Sequence, residues 1–388
     1  MKSSMFGKIA LIALMVFIVS SNVKAQSVYS QKSIKEVMDR VNTYQFNNPW
    51  AEFDDNWIRG TYYAGVMACY FATQDVAYLK QSEDLCSSLN WSVPAVPDSP
   101  SSSGGNILTI GQTMIQCYMV KPEKNKIRSI IDHLDNPNMV KNALSQPDRW
   151  YWEGGMRFAD GLFTGPPALA MLYSVTKNEK YLQWMEAYFW DVYGKLYDPT
   201  EDLFYRDRTM FPVKLEERKN DPNWKGNKQV TANGKKVLWS RGNGWVLAGL
   251  VRILEYLPKD HGSYKRYELL LQRMAKSLKG RQSEEGFWYP NLADPDDAPV
   301  KETSGTGFIT YALAYGINNR ILDKEEYLPV VKKAWACLSD AVSKEGKVQW
   351  GQLVGDRPIN VSKEDSHEYV SGTFLLAASE MYKMNLKK

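Results

Sequence analysis

The sequence predicts an all-α protein closed into a toroid of about six helix hairpins, on the strength of three observations. Nearly every long segment repeats apolar residues at three and four, the period of an amphipathic helix. A short polar turn ending in Tyr-Leu recurs, as ATQDVAYL at 72–79, VTKNEKYL at 175–182 and ILDKEEYL at 321–328, and such a turn between two amphipathic runs describes an antiparallel helix pair. Glycine-rich lead-ins are read at Gly111, Gly165, Gly244, Gly307 and Gly372. Their irregular spacing of about 45 to 80 residues exceeds the common solenoid periods and favours a closed ring over an open stack.

Along the chain, residues 1–25 come first. Lys2 and Lys8 precede or flank an apolar run from Ile9 to Val19, which ends in the small-residue stretch Val23-Lys24-Ala25. This is the layout of a cleavable export signal, with the cut expected before Gln26 and the product expected in the periplasm or outside the cell. The apolar run is short for a membrane span and no lipid-accepting cysteine follows it, so no membrane insertion is expected. Residues 26–388 are read as one domain. The segments YYAGVMACYFATQDVAYLKQSEDLCSSL, PALAMLYSVTKNEKYLQWMEAYFWDVY and VLAGLVRILEYL carry the clearest helical periodicity. Two stretches break it: PAVPDSPSSSGG at 94–105, and the polar run 198–236, read as a long loop over the barrel mouth with a short hairpin at Asn233-Gly234.

Charge and cysteine usage narrow the function. The formal charge is +4, and Lys2, Lys8 and Lys24 of it lie in the signal, which leaves the remaining chain close to neutral. With no basic stripe either, nucleic-acid binding is not expected. Three histidines without ligand spacing and four cysteines without a CxxC pair argue against a structural metal. Cys69, Cys117 and Cys337 sit in apolar helical patterns, the environment of buried free thiols.

Chemistry concentrates in three strings at the expected lead-ins: RFADGLFTGPP from Arg157, WSRGNGW from Trp239 and ETSGTG from Glu302. Glycine lets a ligand approach the backbone, a guanidinium fork matches a carboxylate, and an indole face stacks on a sugar ring. Arg241 and Arg206 are candidates to pair with a substrate carboxylate. Trp239, Trp245 and Trp57 are candidates for a stacking wall, with core packing as the alternative in a chain of 13 tryptophans. Asn243 belongs to the same string as a further binding candidate. Glu302, Ser304 and Thr306 either bond sugar hydroxyls or cap a helix. His367 is read as a rim residue.

Together and in this order, with WIRGTYYAG at Trp57, IGQT at Ile110, LFYRD at Leu203 and GTFLLAASE at Gly372, these strings resemble the unsaturated rhamnogalacturonyl hydrolases of glycoside hydrolase family 105 and the related unsaturated glucuronyl hydrolases of family 88. The resemblance implies an (α/α)6 barrel, no cofactor or metal, and an acidic oligosaccharide substrate. The reaction it implies is release of a terminal 4,5-unsaturated uronic acid: an acid delivers a proton to C4, water adds at C5, and the hemiketal opens to free the remaining sugar. The aspartate of the DxLFxxPP string, implied to be the acid/base, corresponds to Asp160. An aspartate capping the helix that follows is the alternative.

The sequence departs from the family pattern at ADDxxIGQ, where it reads GNILTIGQ from Gly105. Asn106 stands in the first aspartate's place and Ile107 in the second's. An amide positions water but cannot take its proton, and Asp98 is a candidate substitute. Two alternatives follow: a same-fold glycosidase for a saturated uronic acid or neutral sugar, which needs a second carboxylate from Glu302, Asp207 or Glu153, and a carbohydrate-binding pseudoenzyme.

Overall fold

The computed structural model describes residues 28–52, 55–93, 104–135, 158–212 and 229–386, and of residues 104–107 the backbone alone. Residues 1–25, Asp98 and Glu153 lie outside the described residues. Twelve helices of ten residues or more run through them. They are α1 Gln31–Asn47, α2 Trp57–Thr73, α3 Val76–Ser88, α4 Gly104–Val120, α5 Asn125–Leu134 and α6 Pro166–Thr176. The second half comprises α7 Lys180–Leu196, α8 Ser240–Tyr256, α9 Tyr264–Lys279, α10 Thr303–Asn318, α11 Lys324–Asp340 and α12 Glu368–Met384.

The repeated turn reads as one device in two of its three copies. Thr73 Oγ1 donates back to Cys69 O, Gln74 takes the left-handed conformation at φ 59°, and Asp75 caps α3 by accepting from Ala77 N at 3.0 Å. Thr176, Lys177 at φ 58° and Asn178 repeat these roles between α6 and α7. The left-handed residue ends one helix and the Asx side chain starts the next, so two amphipathic runs fold back on each other.

Even- and odd-numbered helices differ in how much of their circumference is buried. In α8, α10 and α12 every residue through Leu254, Ile317 and Met381 respectively is buried. In α9 burial is confined to Tyr264, Tyr267, Leu270, Leu271, Met274, Ala275 and Leu278, a single stripe. A helix apolar all round belongs inside, and one with a stripe belongs on the surface. Contacts run α2 to α4, α4 to α6, α6 to α8, α8 to α10, α10 to α12 and α12 back to α2, so the even helices form a closed inner ring. This is the (α/α)6 barrel.

The glycines are placed differently from expectation. Gly111, Gly244, Gly307 and Gly372 lie within inner helices, and only Gly165 precedes one. The reason is helix contact. A Cβ on Gly307 would stand 2.5 Å from Thr373 Oγ1, and one on Gly372 would stand 2.5 Å from the Thr61 carbonyl, so neighbouring inner helices approach too closely for a side chain at these positions. Inside the ring Arg252 is buried and donates from Nε to Gln112 Oε1 at 2.7 Å and from Nη2 to Gln116 Oε1 at 3.3 Å.

Where the sequence suggested an unbroken loop after Asp198, β1 Tyr197–Asp198 pairs antiparallel with β2 Leu203–Phe204. The Asp198 carboxylate accepts from Thr200, Tyr205 and Lys236, and these bonds hold it ionised against the opposing effect of burial. Further on, a turn forms at Asn233-Gly234, with Gly234 at φ 73° and Val230 bridged to Lys236. All four cysteines are buried and free. Among the described residues no helix is long and apolar enough to cross a membrane.

Candidate active site

The inner helices start on one mouth of the ring, and the strings singled out from sequence gather there. Asp160 sits in the turn before a one-turn helix, Gly161–Thr164, that leads into α6. Its side chain does not cap that helix, so the bland reading of this aspartate is set aside. The Oδ2 atom is buried without a hydrogen bond and faces Arg206 Nε at 3.5 Å, while the side chain as a whole keeps 23% accessibility. Burial pushes the carboxyl above its ordinary range. Arg206, the residue's own amide and Arg241 pull it back in part, and Asp207 adds to the rise. Phe163, which follows closely in sequence, packs on Trp245 and Phe308.

Arg206 follows β2 and is fixed from three sides. Its guanidinium lies 3.6 Å above the Phe158 ring, Nη1 donates to Asp207 Oδ2 at 2.6 Å, and its carbonyl accepts from Ala159 N at 2.8 Å. Asp207 in turn accepts from Thr209 N and Thr209 Oγ1. One backbone bond and one stacked ring therefore tie the Asp160 turn to the Arg206 segment.

Arg241, in the first turn of α8, is buried and among the described residues bonds only to neutral oxygens. Nη1 donates to Gln352 O at 2.5 Å and Tyr369 Oη at 2.6 Å, and Nη2 donates to Leu353 O at 3.1 Å. The guanidinium stacks on Trp239 at 4.3 Å. Among the described residues no carboxylate stands within ion-pair distance of Arg241. A buried cation compensated only by dipoles favours an incoming anion.

Several candidates have other work. Trp239 is 1% exposed and spends its Nε1–H on Gln352 Oε1 at 2.9 Å, so it supports Arg241 and is no open sugar platform. Trp245 is packed by Phe308, Phe163 and Trp57, which corrects the stacking expectation for it as well. Trp57 remains half-buried beside Tyr369 at 5.2 Å. Asn243 is fully buried. It accepts from Phe204 N at 2.7 Å and donates to Phe204 O and Trp239 O, fastening β2 to α8.

Glu302 caps α10, accepting from Ser304 N, Ser304 Oγ and Gly305 N, and also from Gln352 N. Thr306 Oγ1 donates to Glu302 O and accepts from Trp288 N. Of the two readings left open for Glu302, Ser304 and Thr306, helix capping is the one the geometry supports. Asn106 lies in the first turn of α4, and its side chain falls outside the described residues. His367 caps α12 through Nδ1 and stacks on Tyr369 at 5.0 Å.

Two residues escaped the sequence reading. Tyr369 accepts from Arg241 and donates to Gln352 O. Gln352 joins Trp239, Arg241, Tyr369 and Glu302 through its backbone and side chain. Neither sits in a glycine-rich string, and Gln352 lies in an irregular segment without periodicity. Among the described residues no group of three potential ligands is placed to hold a metal ion.

The sequence profile described as Glycosyl Hydrolase Family 88 matches residues 29–385. The chain belongs to glycoside hydrolase family 88. Among family relatives, an unsaturated 3S-rhamnoglycuronyl hydrolase of Formosa agariphila is 30% identical over 99% of this chain and 100% of its own length. A solved glycosyl hydrolase family 88 structure from Bacteroides vulgatus is 28% identical, with a TM-score of 0.80 over 92% of this chain and 99% of that one. A solved structure titled as a polysaccharide lyase is 31% identical, with a TM-score of 0.76 over 91% and 97% of the two chains. Membership in family 88 makes the protein a glycosidase.

Proposed function

We propose that this family 88 glycosidase releases a terminal 4,5-unsaturated uronic acid from lyase-generated oligosaccharides, with Asp160 delivering the proton to C4. The observation that carries the reading is the difference between Asp160 and the other carboxylates of the mouth. Glu302 is fully buried and accepts several hydrogen bonds, Asp207 is occupied by Thr209 and Arg206, and Asp160 alone of the three keeps a buried oxygen without a hydrogen bond.

Direct hydrolysis of a saturated glycoside uses two carboxylates across the bond. Hydration of an enol ether asks one group to give a proton and recover one, and a raised carboxyl suits both steps. After protonation at C4, water adds at C5 and returns a proton to Asp160. The C5 hemiketal then opens by breaking the C5–ring oxygen bond to a C5 ketone, which leaves C1 as a hemiacetal that collapses to an aldehyde and releases the aglycone as an alcohol. Arg241 and Arg206 hold the uronate carboxylate, and the half-buried Trp57 offers a ring face to the sugar.

For the aglycone, the relative named for a 3S-rhamnoglycuronyl substrate supports a uronyl–rhamnose unit as first choice, ahead of pectin and glycosaminoglycan fragments. The layout of residues 1–25 supports export to the periplasm or beyond.

The test follows the ultraviolet band of the conjugated enol-ether carboxylate during incubation with unsaturated uronyl–rhamnose, pectin and glycosaminoglycan oligosaccharides. We expect absorbance to fall, and to fall roughly 10²- to 10⁴-fold more slowly with Asp160→Asn. A second reading comes from the similarity to the solved lyase: a raised carboxyl beside two arginines also suits removal of the C5 proton from a saturated uronide. Absorbance rising on saturated polymer, with no fall on any unsaturated fragment, would replace the hydration reading by that one.

A further inference from the structure

We propose that Arg206 is a positioning residue that pairs loosely with Asp160 and is claimed by the anionic group of the incoming sugar, so that substrate binding itself leaves Asp160 as the acid. The inference rests on the hydration reading above and deepens it.

Three features of the pair support it. First, Arg206 is immobilised independently of Asp160, by the Phe158 ring at 3.6 Å, by Asp207 at 2.6 Å and by the backbone bond from Ala159. It therefore needs no bond to Asp160 to hold its place. Second, the contact between them is incomplete: Arg206 Nε and Asp160 Oδ2 stand 3.5 Å apart, and neither atom makes a hydrogen bond. A tight guanidinium–carboxylate fork would hold the aspartate firmly ionised, yet here burial outweighs the arginine and the carboxyl lies above its ordinary range. Third, the Arg206 side chain is 16% accessible and that of Asp160 23%, so a ligand reaches both.

Among the described residues, the charged groups facing Asp160 are Arg206 and Asp207 from the segment after β2 and Arg241 from α8, where Tyr369 of α12 bonds the arginine. Arg241 is bonded to neutral oxygens and makes no ion pair with Asp160, whereas Arg206 faces its Oδ2 at 3.5 Å and pulls on it more strongly. The pull of Arg206 is therefore the one a bound anion changes most. When a substrate anion settles on that guanidinium, its negative charge offsets the stabilisation that Arg206 gives to ionised Asp160, which favours the protonated carboxyl.

The direction in pH follows. The reaction needs protonated Asp160, so rate is present below its pKa and lost as pH rises through it. The basic limb of kcat/KM reports the free enzyme and that of kcat reports the complex. In the wild-type protein the kcat limb is expected about one pH unit above the kcat/KM limb. In Arg206→Gln the kcat/KM limb moves up toward the kcat limb and the gap closes. If Arg206→Gln does not fold, Arg206→Met, which also removes the charge but keeps an apolar stem over Phe158, replaces it, and the same upward displacement of the kcat/KM limb is expected. Coincident limbs in the wild-type protein, or an unchanged gap in the variant that folds, overturn the proposal. Undiminished activity in Asp160→Asn would instead remove the hydration reading beneath it, which separates the two failures.

Discussion

The two mouths of the barrel treat charge differently. At the far mouth, where the inner helices end, Glu380 is 2% exposed and both its oxygens are taken, Oε1 by Lys383 Nζ and Oε2 by Asn318 Nδ2, each at 2.7 Å. It lines a cleft of about 410 Å³ with Glu255, Lys259, Tyr315 and Lys383, where acids and bases alternate. At the near mouth Asp160 keeps an unbonded oxygen and Arg241 rests on carbonyls and a hydroxyl. Arg206 pairs with Asp207 at 2.6 Å and stands 3.5 Å from Asp160, and among the described residues Arg241 has no carboxylate within ion-pair distance. The same ring thus carries in Glu380 a carboxylate with both oxygens bonded at its closed end, and around Asp160 and Arg241 an open set of charges placed for chemistry.

Substitutions test this contrast, in order of expected effect. Arg241→Gln removes the buried cation that attracts the substrate and strips donors from Gln352 O and Leu353 O. We expect kcat/KM to fall about 100-fold, equivalent to roughly 3 kcal/mol of lost transition-state stabilisation, measured by the absorbance assay. A loss below fivefold would mean that the open charge set is not what binds the anion.

Asn243→Ala comes next. It cuts three bonds between α8, β2 and Trp239, so thermal denaturation should show about 1–3 kcal/mol less stability. Activity should fall about tenfold as the strand that carries Arg206 loosens. Unchanged activity at lowered stability would show that Arg206 is positioned by Phe158 and Asp207 alone.

Glu380→Gln, at the closed end, is the smallest. We expect about 1 kcal/mol of destabilisation and kcat/KM within about twofold of wild type. A tenfold loss of activity there would break the contrast outright.

Much of this architecture was legible beforehand because helical periodicity and turn chemistry are local. Thr73-Gln74-Asp75 and Thr176-Lys177-Asn178 announce their hairpins without reference to the rest of the chain. The glycines were misplaced because a glycine before a helix and a glycine at a helix crossing look alike until the partner, Thr373 or Thr61, is known. The site was half legible for a similar reason. Glu302 and Asn243 carry groups that serve a sugar or a backbone equally well, and only burial decides between them. Trp239 looked like a platform, yet its role is to back Arg241. Tyr369 and Gln352 are brought to the mouth by the closure of the ring, a long-range event that no window of sequence contains.

That closure has a consequence for how the chain reaches its native state. The seam between α12 and α2, where Gly372 rests on the Thr61 carbonyl, joins residues roughly 300 apart, and the entropy of so large a loop must be met before the contact rewards it. Until the last helix arrives, α2 and α10 present bare apolar faces to water, and Arg241 lacks Tyr369. Assembly of the catalytic mouth is therefore expected late in folding, and a chain truncated before Glu368 is expected to lack activity, since it lacks the Tyr369 bond to Arg241.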